Sequence, residues 1–172
     1  MRLLVTLLLL LVLSGCSTTY DLGDEWRPLS AVIERPSLPF VSDTATTTIG
    51  SHVYTSDLKQ WLADYPPGSI EFQAVLRHER EHARRQFGYL GLPGELAKFA
   101  WITRYLGSAN FRWREEQRGF YQAITFLHSK GHWSNADTLR VAHNMSKYYN
   151  DMVSFADARA WIEDVLAGRW QP

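Results

Sequence analysis

The chain has 172 residues, 45% of them hydrophobic, with 18 basic and 18 acidic side chains. Zero formal net charge at neutral pH argues against a nucleic-acid partner, which needs a basic face, and the single cysteine, Cys16, leaves no intramolecular disulfide framework. The length suits one domain with its own core and would cramp two.

Met1-Arg2 gives a short basic start, and the apolar run that follows ends at Leu13. This reads as a secretory signal, too short for a spanning helix. Leu13-Ser14-Gly15-Cys16 resembles the bacterial lipobox, which implies removal of residues 1–15 and diacylation of Cys16 as the first residue of the mature protein. More than one acyl chain gives stable membrane anchoring. Ser17, rather than Asp, beside the cysteine matches outer-membrane sorting, facing the periplasm, in a Gram-negative source. Removal of residues 1–15 leaves 157 residues and takes away one positive side chain, Arg2. Residues 16–39 then read as the acylated N-terminus and a tether, polar and broken by Pro28, Pro36 and Pro39. Residues 40–172 form the expected single domain.

Alternation from Phe40 to Thr55 predicts two short strands with Gly50 at a turn or bulge. Asp57 to Asp64 reads as a short helix stopped before Pro66-Pro67-Gly68. Beyond this point the period is helical throughout. Ser69 is a suitable N-cap and Gly88 a suitable stop for a helix between them. Further helices are predicted for Glu95 to Leu106, after the Pro93-Gly94 turn, and for Asn110 to Ser129. Another spans Ala136 to Asp151, with Leu139, Ala142, Met145 and Met152 in register. The last runs from Phe155 to Leu166, with Phe155, Ala158, Ile162 and Val165 on one face and Gly168 as its stop. The expected fold class is therefore α+β, mostly helical, with a small N-terminal sheet. Trp101, Trp113 and Trp161 at helical spacing are assigned to the core rather than to sugar stacking.

Within the helix that begins after Ser69, His78-Glu79-Arg80-Glu81-His82 reads HExxH. Residues four apart lie one turn above each other, so both imidazoles can reach one zinc ion. Glu79 projects beside the same face, where a carboxylate can act as general base toward water at the metal. Phe72, Leu76, Ala83 and Phe87 form an apolar stripe that should dock on the core, leaving His78 and His82 facing away from most of it. Arg77, Arg80, Arg84 and Arg85 form the one basic cluster, either bordering a cleft or simply solvated around Glu81.

Catalytic zinc usually has three protein ligands. The metzincin continuation is excluded, because Arg85 occupies its glycine slot and Gly88 its final ligand slot. A glutamate on a later helix remains, and Glu115 and Glu116 are the neighbouring candidates. At this point the chain resembles the gluzincins, zinc peptidases that combine HExxH with a downstream Glu, and especially their small single-domain members. Their register, a small residue three positions after the ligand, fits Glu116 with Gly119 and fits Glu115 with Arg118 poorly. The resemblance thus implies His78, His82 and Glu116 as ligands, Zn2+ as cofactor and a zincin-like fold. It covers roughly residues 46 to 125.

The thermolysin-like acid four residues after the ligand is absent, that place being Phe120. The run Thr46 to Thr55 resembles the strand that precedes the HExxH helix in small gluzincins, whose edge can pair with an extended peptide; good strand composition alone also explains it. A transition-state donor, commonly Tyr or His in that family, is open among His143, Tyr148, Tyr149 and Tyr121. His128 and His132 read as loop or capping residues near Gly131.

Two functional classes follow. One is a zinc metallopeptidase of the bacterial envelope, acting on peptide or peptidoglycan-linked substrate. The other is a catalytically idle, zinc-stabilised binding lipoprotein. Glu79 favours the first, since a purely structural site needs no base.

Overall fold

The computed structural model describes residues 17–36, 46–147 and 152–172. Cys16, Phe40, Tyr148 and Tyr149 lie outside the described residues. The architecture is α+β and mostly helical, with one small sheet at the N-terminal side.

Among the described residues the sheet has four strands, β1 (Thr19–Asp21), β2 (Ala31–Glu34), β3 (Thr47–Ile49) and β4 (His52–Thr55), in the order β1-β2-β4-β3. β2 and β4 are parallel and both outer pairs antiparallel. The β3–β4 hairpin matches the sequence expectation, with Gly50 turning at φ 61°. The tether does not. Residues 19–34 supply two strands, and Leu22, Leu29 and Val32 are buried in the core. The prolines misled: Pro28 lies in the connection between β1 and β2 and Pro36 beyond β2, so neither interrupts a ladder.

Among the described residues six α-helices follow: α1 (Leu58–Asp64), α2 (Ile70–Gln86), α3 (Gly94–Gly107), α4 (Ala109–Ser129), α5 (Asn135–Lys147) and α6 (Phe155–Leu166). Caps explain why most boundaries were readable. The side chains of Asp57, Ser69, Ser108 and Ser154 each accept a backbone N–H of the first turn, a bond worth about 1 kcal/mol of helix stability. At the far end of α2, Gly88 takes the left-handed conformation at φ 71°.

Two cores result. Val32 and Val53 of the sheet pack with Leu58 and Trp61 of α1 and with Phe72, Leu76 and Ala83 of α2. The second core joins Ile124 of α4 to Val141, Ala142 and Met145 of α5, Met152, and Ala158, Trp161, Ile162 and Val165 of α6. Leu139, expected in that register, is instead exposed, and Thr138 and Val141 turn inward in its place. Phe87 and Phe155 are also exposed, because each stands at a helix end where the core has run out. Trp101 and Trp161 are buried, and Trp113 packs edge-on against Trp161 with ring centroids 5.5 Å apart. The seam between the cores is the contact of α2 with α4.

Candidate metal centre

His78 and His82 do not face away from the core: they point across this seam and are buried against α4. Their Nε2 atoms converge to 2.9 Å. From α4, Glu116 places Oε2 3.4 Å from Nε2 of His78 and Oε1 3.5 Å from Nε2 of His82. One ligand atom from each of the three residues falls within a 4.8 Å span, so the group could hold a metal ion. Two buried atoms of the group, Glu116 Oε2 and His82 Nδ1, have no hydrogen-bond partner. A buried carboxylate oxygen without a hydrogen bond costs about 1–3 kcal/mol; Oε2 has only its 3.4 Å contact with His78, and a cation at the convergence point would remove that cost. The residues fit the group.

Space for this convergence comes from Gly119, one turn beyond Glu116. A Cβ there would lie 2.8–2.9 Å from three atoms of the His78 ring. Orientation of the histidines comes from aromatic packing in place of a second carboxylate. The Phe120 ring stands edge-on to His78 at 4.5 Å, and Trp101 and Tyr105 flank His82 at 5.9 and 6.4 Å. Phe120, which occupies the place of the thermolysin-like acid, thus contributes shape where that acid would contribute a hydrogen bond.

Electrostatics match a preformed ligand set. Burial opposes charge on both partners, yet the charge and hydrogen bond of Glu116, with smaller help from Glu79 and Glu115, raise His82 to about 9. Burial would likewise raise Glu116, but the facing histidines overcome it and hold the carboxyl well below the usual carboxylate range.

Glu115 has a different fate. It is 1% exposed, takes a two-pronged bond from Arg85 at 3.1 and 2.9 Å, and accepts the indole N–H of Trp101 at 3.1 Å. Neighbouring residues on a helix point about 100° apart, so Glu115 turns to α3 while Glu116 turns to the histidines. The basic cluster is dispersed in the same way. Arg85 serves Glu115, Arg77 lies over Phe126, Arg80 lies over Trp26, and Arg84 is exposed.

Glu79 is buried and leans toward the sheet, where Oε2 accepts the Thr48 hydroxyl at 2.6 Å. Gln86, fully buried, fastens this hairpin to α2. Its Nε2 donates to the Thr48 carbonyl at 2.8 Å and its Oε1 accepts the Gly50 N–H at 2.7 Å. β3 is therefore an edge strand, as the run from Thr46 implied, but its Thr48 carbonyl is already bonded to Gln86.

Thr48, Gln86 and Tyr105, the last donating its hydroxyl to Glu116 Oε1, were not singled out from the sequence. Gln86 had one available signal, a polar side chain four residues after His82 and so on the same helical face. Of the proposed donors, Tyr121 packs on Trp170 at 5.6 Å and His143 is exposed on α5. Neither belongs to the triad. His128 stands exposed in the last turn of α4, and His132 lies 3.9 Å from Glu71.

No family model, curated protein or solved structure matches the chain.

Proposed function

We propose that the protein is a gluzincin-like zinc metallopeptidase of the bacterial envelope, with His78, His82 and Glu116 as zinc ligands and Glu79 as general base. The observation that carries this reading is the pairing of a buried two-histidine, one-carboxylate set with a separate carboxylate, Glu79, fixed by Thr48. Nitrogen and oxygen donors in that ratio suit Zn2+, and a three-ligand set leaves a position open. When bound, Zn2+ would polarise a carbonyl and lower the pKa of water.

Glu79 then accepts the proton of the attacking water and returns it to the leaving amine. Thr48 holds one of its oxygens, so the carboxylate is aimed before substrate arrives, and Gln86 keeps Thr48 in place. The substrate is a peptide or a peptidoglycan-linked peptide. Acylation of Cys16 would hold the domain at the membrane. Only Ser17 and Thr18 separate that cysteine from β1, so the domain would sit against the lipid surface without a spacer.

One observation favours a second reading. His78, Glu79 and His82 are only 7%, 5% and 6% exposed, and the clefts lined by Asp24 and Arg27 and by Glu25 and Trp26 do not reach them. A buried site of this kind also suits a zinc-stabilised binding lipoprotein. Glu79→Gln separates the two readings, because it keeps shape and hydrogen bonding while removing the base. A peptidase should lose roughly 10²–10⁴-fold in peptide hydrolysis with its zinc retained. Hydrolysis unchanged in that variant contradicts Glu79 as base, and no hydrolysis by the zinc-loaded wild type favours the binding lipoprotein.

A further inference from the structure

The geometry points to Tyr105 as the positioning residue that selects which oxygen of Glu116 is left free for the metal, braced from behind by Trp101, Glu115 and Arg85. This deepens the zinc reading of the triad and rests on it.

A carboxylate offers two oxygens, and a metal can engage one or both. Both oxygens of Glu116 face the histidines, Oε2 at 3.4 Å from His78 and Oε1 at 3.5 Å from His82. Only Oε1 accepts the Tyr105 hydroxyl, and Oε2 has no hydrogen bond. Tyr105 belongs to α3, a helix that supplies no ligand, so its aim has to be set by something else. Trp101, one turn earlier on the same face, stacks on the Tyr105 ring with centroids 4.9 Å apart and planes 16° from parallel. The Trp101 indole N–H is fixed by Glu115 Oε2, and Arg85 fixes both oxygens of Glu115.

The brace and the ligand set therefore share two helices. Arg85 stands three residues after His82 on α2, and Glu115 immediately precedes Glu116 on α4. α3 joins them through two stacked rings. This accounts for Glu115, a buried carboxylate that neither binds the metal nor acts as base. Groups that orient metal ligands in this manner typically change metal affinity 10–100-fold when removed.

The test uses the full chain with Zn2+ for affinity, by chelator competition, and Co2+ as a spectroscopic probe of coordination. Tyr105→Phe removes one oxygen and keeps the ring stack. We expect it to retain the far-ultraviolet circular dichroism of the wild type and to bind Zn2+ about 10–100-fold more weakly. Its Co2+ visible band should lose intensity as the freed carboxylate binds the ion through both oxygens. Arg85→Gln, at the half-exposed end of the brace, should shift both readouts in the same direction by less, and it carries the test if Tyr105→Phe does not fold. Zn2+ affinity and Co2+ spectrum equal to wild type in whichever variant is folded overturns the role of Tyr105. A wild-type chain that binds no Zn2+ overturns the zinc reading itself, and this inference with it.

Discussion

Gly119 and His78 are fitted to each other across the α2–α4 seam: a side chain at 119 would lie 2.8 Å from Nε2, the nitrogen that faces Glu116. Glycine in mid-helix costs about 1 kcal/mol relative to alanine, and here the gain is room for the His78 ring. Gly119→Ala should keep the fold, since alanine favours the helix, but push His78 off the convergence point. Zinc affinity is expected to fall about tenfold or more, measured by chelator competition. Unchanged affinity would mean that the ring does not need this space.

The adjacent carboxylates of α4 should separate cleanly on mutation. Glu116→Gln removes a ligand and should lower zinc occupancy. Glu115→Gln should still load about one zinc per chain at saturating Zn2+, with affinity lowered less than in Glu116→Gln, while weakening the Arg85 and Trp101 bonds at a cost to stability of about 1–3 kcal/mol. Elemental analysis and urea titration of both variants provide the check. Equal occupancy in the two places the third ligand elsewhere.

A pH dependence follows from His82. In the metal-free protein it keeps its proton up to about pH 9, whereas its ordinary value is 6.5. Its charge therefore stabilises the metal-free fold fully below pH 6.5, and that contribution is lost as the pH rises through about 9. Zinc must displace this proton. Affinity should climb about tenfold per pH unit across that window, one proton being released per ion bound. Competition titrations at a series of pH values test this, and a flat profile contradicts the facing of His82 and Glu116.

For the anchor, Cys16→Ser should abolish incorporation of labelled palmitate and leave the precursor uncleaved. Equal labelling of the variant refutes the lipobox reading.

What the sequence revealed and what it hid divide along physical lines. The HExxH helix was legible because its signals are local, namely the i, i+4 spacing of His78 and His82, the Ser69 cap and the Gly88 stop. The helices after it were legible for the same reason, in their period and their capping residues. Glu116 could be preferred over Glu115 only through a resemblance, because a single 100° step around a helix decides the matter and the partners of both lie on other helices. Thr48, Gln86 and Tyr105 were hidden for that reason too. Thr48 and Glu79, for example, are 31 residues apart in the chain and become partners only through the hairpin's docking on α2. The strands β1 and β2 escaped notice although they are no shorter than β3 and β4, because they lie in a polar, proline-containing stretch that reads as a linker.

If His78, His82 and Glu116 hold one zinc ion, the metal content of the purified protein reports it stoichiometrically. Purified wild-type chain, loaded with Zn2+ and freed of excess, should carry about one zinc per molecule, and the double variant His78→Ala, His82→Ala should carry essentially none. A wild type without zinc, or a double variant that retains one equivalent, would rule out His78 and His82 as the ligands.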